Sequence, residues 1–279
     1  MTDNHRNGGI FILLFLFLFN AKGDELRLDE VDAFSALEEF RYQGISEKYS
    51  LSFLLLNIPN EGEETYHRGQ IWGNSKNDGT RTVIRLEPVA GNGEAEIRLF
   101  LENGIDPVAW RIRKGTKTLR MIKGASLFFP LFPGLVLTPF ELQMPFLFWE
   151  DYIYEGVSKL KGRRAFMFLM IPPLAIRKAN PDMEAVRVSI DTKFKVLIKA
   201  QILGPRRQTL KSFKIVSLKK IQNQVIIKRI DFLDEISRNK TRFIVTGADL
   251  SLVIDDVFFR PDTLLEERLP RPSNRFEHF

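Results

Sequence analysis

The sequence predicts a mainly β protein, folded as a sandwich or a barrel-like curved antiparallel sheet. Three observations carry this. Apolar and polar residues alternate with period two over most of the chain from Tyr49 onward, the mark of strands with one dry face. Turn-forming residues recur between those stretches. Only one segment near the start, Asp29–Tyr42, carries a helical period.

The chain opens with Met1–Arg6, then Asn7 and two glycines, then an unbroken apolar run of ten residues from Ile10 to Phe19. A bilayer-spanning helix needs roughly 20 apolar residues, whereas the core of a secretory signal needs about 7–15. Ala21 and Gly23 put small residues at the −3 and −1 positions, so the expectation is a signal peptide over residues 1–23, cleaved before Asp24. A short buried N-terminal helix is the alternative for this run. The sequence has no cysteine, so an exported form has no disulfide and no thiol at the cleavage point to carry a lipid. This favours a soluble periplasmic protein over a membrane-tethered one. Cleavage takes the formal charge from +6 to +5, by removal of Arg6, Lys22 and Asp3. Such a mildly basic exported protein suits anionic lipid head groups or an acidic partner better than nucleic acid.

In the Asp29–Tyr42 helix, Val31, Phe34, Leu37 and Phe40 form one apolar stripe, Asp29 suits the N-cap, and Gly44 suits the end. From Tyr49 the period becomes two: Tyr49, Leu51, Phe53 and Leu55 alternate with serines. After a polar loop, Asn60–Arg68, a short strand is expected around Gln70–Gly73, then a turn at Asn77-Asp78-Gly79. Ile84 and Leu86, Ile97 and Leu99, then Val108, Trp110 and Ile112 continue the alternation against charged neighbours. Seven further strands are expected between Tyr152 and Thr246, with turns marked by Gly156, Gly162, Gly204-Pro205 and Asn223. The total is about eleven strands in one domain, 24–260, followed by a loosely ordered tail, 261–279.

Residues 124–149 follow neither period. This stretch holds six phenylalanines, Trp149, and prolines at 130, 133, 139 and 145, which exclude a continuous helix or a central strand. It should consist of irregular chain and single helical turns, yet it is too apolar to lie in water. Two readings stay open: a loop that caps the barrel end and completes its core, or a lid over an apolar cavity. In the second, Phe128, Phe129, Phe132, Phe140, Met144, Phe146, Phe148 and Trp149 would contact a lipid-like ligand. The cavity candidates on the sheet are Phe53, Leu55, Ile84, Leu86, Ile97, Leu99 and Trp110.

Chemistry-bearing motifs are sparse. The three histidines, His5, His67 and His278, have no metal-ligand spacing and no nucleophile beside them. The acidic pairs Glu63-Glu64, Glu150-Asp151 and Asp255-Asp256 read as a loop, a turn and a strand end. The expectation is no enzyme, no cofactor and no metal. The basic stretch from Arg206-Arg207 to Lys219-Lys220, interleaved with apolar residues, reads either as a solvated strand face or as a contact surface for head groups or an acidic partner.

Leu137–Gly156 (LTPFELQMPFLFWEDYIYEG), then Leu160–Pro173 (LKGRRAFMFLMIPP), resembles outer-membrane lipoprotein-sorting proteins of the LolA-like group. The stretches VRVSIDTKF (Val186–Phe194) and LIKAQIL (Leu197–Leu203) are similar in order and spacing. The resemblance implies an incomplete barrel: a half-open, strongly curved antiparallel sheet with a short N-terminal helix and a loop and helix lid. It also implies a periplasmic carrier that takes up the acyl chains of lipoproteins or other lipids. Such a carrier works, as a monomer, between an inner-membrane exporter and an outer-membrane acceptor. A non-transporting periplasmic sensor, or an accessory subunit of an envelope complex, is the second expectation.

Overall fold

Alternation commits most strands to one wet and one dry face, and the structure joins fourteen strands among the described residues into one sheet. The structure, a computed structural model, describes residues 20–42, 45, 47–76, 79–89, 95–160, 162–221, 224–266, 268–270 and 273–279. The apolar run Ile10–Phe19 lies outside these residues, as do the expected turn residues Gly44, Asn77, Asp78 and Asn223.

The N-terminal half is an antiparallel meander of β1 (Tyr49–Ile58), β2 (Thr65–Lys76), β3 (Gly79–Pro88), β4 (Ile97–Glu102), β5 (Val108–Arg113) and β6 (Arg120–Ile122). The second half is another: β7 (Tyr152–Leu160), β8 (Arg163–Met170), β9 (Ala185–Asp191), β10 (Leu197–Leu203), β11 (Thr209–Ile221), β12 (Gln224–Asp234) and β13 (Lys240–Asp249). The halves meet at β1 and β13 in the middle of the sheet, and β14 (Glu277–His278) adds to β13. The sheet does not close into a barrel: its edges are β6 and β7. The expectation of about eleven strands is therefore corrected to fourteen among the described residues. β6 and β14 are too short, at three and two residues, to show a period. β2 also begins at Thr65, inside the stretch expected to be a loop, because its glycines hide the alternation.

Helix α1 spans Asn20–Tyr42 and so begins nine residues before the expected Asp29; the expected cleavage point before Asp24 falls within it. α2 (Pro139–Gln143) and α3 (Leu174–Ala179) are the other α-helical turns. No helix among the described residues is long and apolar enough to cross a membrane.

Three further expectations change. Gly156 marks a bulge inside β7, where its φ of 90° is at no cost to a residue without Cβ, rather than a turn. Asp255-Asp256 does not end a strand: Asp255 accepts from the Val257 amide at 2.8 Å and caps a 3₁₀ turn, Asp256–Phe258. Within the segment expected to be a loose tail, Pro261–Leu265 forms a second 3₁₀ turn with Thr263 and Leu264 buried.

Two apolar layers result. The larger packs on the concave face and includes Ala33 and Leu37 of α1, Leu55, Leu86, Leu99, Phe140, Phe146, Phe168 and Val188. The smaller lies on the opposite face of the N-terminal half, where Trp72, Val83, Phe100 and Ile112 are covered by Leu252, Phe258, Phe259 and Leu264 from the C-terminal segment.

Candidate functional site

The crossover from β6 to β7 must travel from one edge of the sheet to the other, and it does so across the concave face. This crossover is the apolar, proline-broken segment 124–149. As expected, it consists of single turns: a 3₁₀ turn at Gly124–Phe128, α2, and another 3₁₀ turn at Pro145–Phe148. Pro145 disfavours the right-handed helical region for Met144, which instead takes a left-handed φ of 47° and turns the chain between the last two pieces.

Register shows how the sheet presents its inner face. Phe53 lies beside Gly69, Gly69 beside Leu86, and Leu86 beside Ile97, so these four share a row. Ile71, Ile84 and Leu99 form the next row. A Cβ on Gly69 would meet Phe53 Cζ at 2.3 Å, and one on Gly73 would meet Tyr49 Cζ at 2.0 Å. The absent side chains are what let these two aromatic rings lie flat on β2. In the C-terminal half the inner face carries Phe166, Phe168, Val186, Val188, Ala200 and Phe213, all buried.

The crossover fills the space over this face. Phe132 stacks on His67 with ring centroids 4.5 Å apart. Phe140 contacts Phe128 at 4.8 Å and Phe146 at 5.9 Å, and Phe146 reaches Phe213 across the sheet at 6.0 Å. α1 covers the remainder, with Phe34 edge-on to Tyr152 at 5.8 Å and close to Phe168. The concave face is thus packed with the protein's own side chains.

Thirteen of the fifteen candidate residues come together in this layer: Phe128, Phe132, Phe140, Met144, Phe146, Phe148 and Trp149 from the crossover, and Phe53, Leu55, Ile84, Leu86, Ile97 and Leu99 from the sheet. Two do not. Phe129 points to solvent and is 62% exposed. Trp110 lies on the opposite face, beside the cluster of Trp72 and Phe258.

Polar groups tie the cover down, and sequence reasoning missed them. Arg41, in the last turn of α1, donates to the carbonyls of Leu147 and Trp149. Gln143 donates to the carbonyls of Glu102 and Val108 at 3.2 and 3.0 Å. Thr241 accepts from the Val136 amide at 2.8 Å. Lys211 Nζ donates to the Val136 carbonyl at 3.2 Å and to buried Glu141 at 3.3 Å, while Glu141 also accepts from the Thr138 amide at 2.9 Å. Arg111 faces the crossover and donates to the Leu131 carbonyl at 3.4 Å; burial, and then neighbouring Arg113, lower its pKa. Each of these bonds has a side chain on at least one end, so each can open without breaking a sheet ladder.

A cavity of about 560 Å³ opens on the convex face of the same strands, lined by Ser52, Leu54, Arg68, Gln70, Arg85, Glu87 and Thr246, with Phe53 and Gly69 at its floor. Its charges are mutually paired: Arg68 and Arg85 bind Glu87 at 2.6 and 2.8 Å. Burial by itself would raise the Glu87 carboxyl, but the two arginines outweigh it and hold its pKa below the usual range. No group of His, Cys, Asp and Glu placed to hold a metal occurs among the described residues.

No protein-family model matches the sequence, and no curated protein matches it. Solved structures do match the fold. An outer-membrane lipoprotein-sorting protein domain, so assigned, from Vibrio parahaemolyticus aligns at a TM-score of 0.70 and 13% identity, covering 84% of this chain and 100% of that one. A DUF1329 family protein from Desulfovibrio piger aligns at 0.69 and 12% identity, covering 85% and 98%. A LolA superfamily protein from Nitrosomonas europaea aligns at 0.61 and 12% identity, covering 83% and 98%. The chain has the LolA-like fold that the sequence resemblance implied.

Proposed function

We propose that this chain is a soluble periplasmic carrier that holds the acyl chains of lipoproteins or other lipids against its concave face and moves them towards the outer membrane. The observation that carries this reading is the nature of the cover. A large apolar sheet face is closed by a crossover and a helix held through side-chain clasps, where a sandwich would use a second hydrogen-bonded sheet.

The energies are compatible with exchange. Withdrawing six buried apolar side chains of the crossover into water costs roughly 9–18 kcal/mol, at about 1.5–3 kcal/mol each. A 16-carbon acyl chain that takes their place contributes roughly 12 kcal/mol, at about 0.8 kcal/mol per CH₂. One chain therefore offsets partial withdrawal of the cover, and two or three chains offset its full displacement. The empty form stays closed and shields its apolar face. The reading needs no covalent step and no cofactor, and hand-over requires only an acceptor with a better apolar surface. Inner-membrane exporter and outer-membrane acceptor are the partners it calls for.

The test is native mass spectrometry of the purified protein, with titration of a fluorescent acyl probe. Co-purified lipid or saturable probe uptake, competed by a lipoprotein's acylated N-terminal peptide, is the expected result. A protein that is empty and ignores the probe overturns the reading. Transfer of a labelled lipoprotein between two vesicle populations separates a carrier from a non-transporting sensor or accessory subunit.

A further inference from the structure

The three hairpin turns of the C-terminal half that connect β7–β8, β9–β10 and β11–β12 lie at one end of the sheet. Leu160 pairs with Arg163, Ile190 with Leu197 and Ile221 with Gln224 at the respective turns, and the pairs Ala165–Asp191 and Lys199–Lys214 align these turns side by side. Of the three, the paired strands β11 and β12 reach farthest among the described residues. β10 stops pairing with β11 at Lys214, and β12 first pairs with β13 at Arg229. Beyond those points, among the described residues, the two strands pair only with each other. They form a ribbon whose last described pair, Ile221 and Gln224, lies roughly 20 Å past Lys214 at about 3.3 Å per residue.

This end is basic and studded with apolar side chains. From Thr209 to Ile230 the sequence has five lysines and Arg229 but no Asp or Glu. Lys211 turns inward to Glu141; Lys214 is exposed at the base of the ribbon, opposite Asp231, and Lys220 is exposed near its end. Val225 is 62% exposed and Leu218 40%. At the neighbouring turn Phe194 is 56% exposed, with Lys193 Nζ 5.4 Å and the Arg163 guanidinium 5.9 Å from its ring. The acid nearest this turn, Asp191, is buried; it accepts from the Lys193 and Phe194 amides and pairs with Arg163 at 3.6 Å, which leaves Lys193 as an unneutralised cation of this turn among the described residues.

We propose that this basic end is a docking surface for an anionic phospholipid bilayer. The cations are spread along a ribbon and two turns instead of converging, which suits a plane of many phosphates and not one bound anion. The apolar side chains stand singly between lysines, so they can enter the head-group layer while the ammonium groups stay at its surface. A protein partner would call for a contiguous apolar centre with a polar rim. The surface is separate from the concave face, and the proposal holds or fails independently of acyl-chain binding.

Co-sedimentation of the full chain with vesicles tests it, using phosphatidylcholine alone and with about 30 mol % phosphatidylglycerol. The parent should favour the anionic vesicles, and the preference should fade at high salt. Each lysine near such a surface contributes about fivefold, so Lys193→Gln with Lys220→Gln should weaken binding roughly 25-fold. Phe194→Ser with Val225→Ser should weaken it several-fold while the charge is kept. All variants share the parent's N-terminus, so its contribution cancels. Melting curves confirm folding, and the single exposed change Lys220→Gln, expected at about fivefold, replaces any variant that melts early. Equal binding to neutral and anionic vesicles, or variants that bind like the parent, overturns the proposal. So does a parent that ignores both vesicle types and is retained only by an acidic protein.

Discussion

Replacing Arg41 by alanine removes the clasp between α1 and the far end of the crossover. The Arg41 side chain is only 12% exposed; it donates to the Leu147 carbonyl and, at 3.3 Å, to the Trp149 carbonyl, and its guanidinium lies 5.4 Å from the Tyr152 ring centroid. A hydrogen bond from a charged group contributes about 1.5–3 kcal/mol, and the aromatic contact adds about 0.5–1 kcal/mol. The second bond is long, and water partly replaces both once the side chain is gone, so the closed crossover should lose about 2–3 kcal/mol in all. That raises its open population about 30- to 150-fold. Hydrogen exchange read by mass spectrometry over residues 140–150 should accelerate by this factor, because the Leu147 and Trp149 amides are held only by local bonds to Met144 and Phe146. Arg41→Lys keeps the charge but not the fork and should fall between the two. If exchange in this stretch is unchanged, the clasp has no role in closure. A uniform rise over the whole sheet would instead show that Arg41 acts on global stability, and would equally refute the reasoning.

Gly69→Val should destabilise the fold by about 1–3 kcal/mol or more, read as a lower denaturant midpoint, since its Cβ would lie 2.6 Å from the Arg85 carbonyl as well as against the Phe53 ring. Phe258→Ala, which empties the site edge-on to Trp72 at 5.8 Å, should cost about 3 kcal/mol and expose residues 250–265 to limited proteolysis, with acyl-probe uptake unchanged. Burial by itself would raise the Asp231 carboxyl, but hydrogen bonds from Arg242 at 2.7 and 2.8 Å and its charge lower it. A depressed carboxylate stabilises fully above its unfolded pKa of about 3.9 and loses that contribution as pH falls through its folded value. Asp231→Asn should therefore flatten the acid side of a stability-versus-pH curve measured by urea unfolding.

Much of this architecture was legible because alternation survives wherever one face is wet. Phe53 and Leu55, or Ile97 and Leu99, announce a dry face, and the prolines of the crossover announce that it cannot be regular. Trp110 shows the limit. Its strand alternates Val108, Trp110 and Ile112 against Ala109, Arg111 and Arg113, so the tryptophan face reads as the inside. The structure puts Arg111 on the concave side and covers Trp110 with a segment about 150 residues later in the chain. Periodicity tells which face is dry, and only tertiary packing tells what dries it. Likewise, α1 reaches back to Asn20 through residues with no apolar stripe, and the clasps of Arg41, Gln143 and Lys211 join elements far apart in sequence.

A sheet left unclosed keeps two rows of unpaired backbone groups, each able to recruit a strand from another molecule. In this protein both rows are blunted. β6 offers only three residues, too few for a stable ladder, and β7 carries the Gly156 bulge, with Lys159 close to its end. The same opening that leaves the inner face reachable would otherwise make the molecule prone to polymerise. Mutations that straighten the bulge or lengthen β6 should therefore show first as loss of solubility, before any loss of fold.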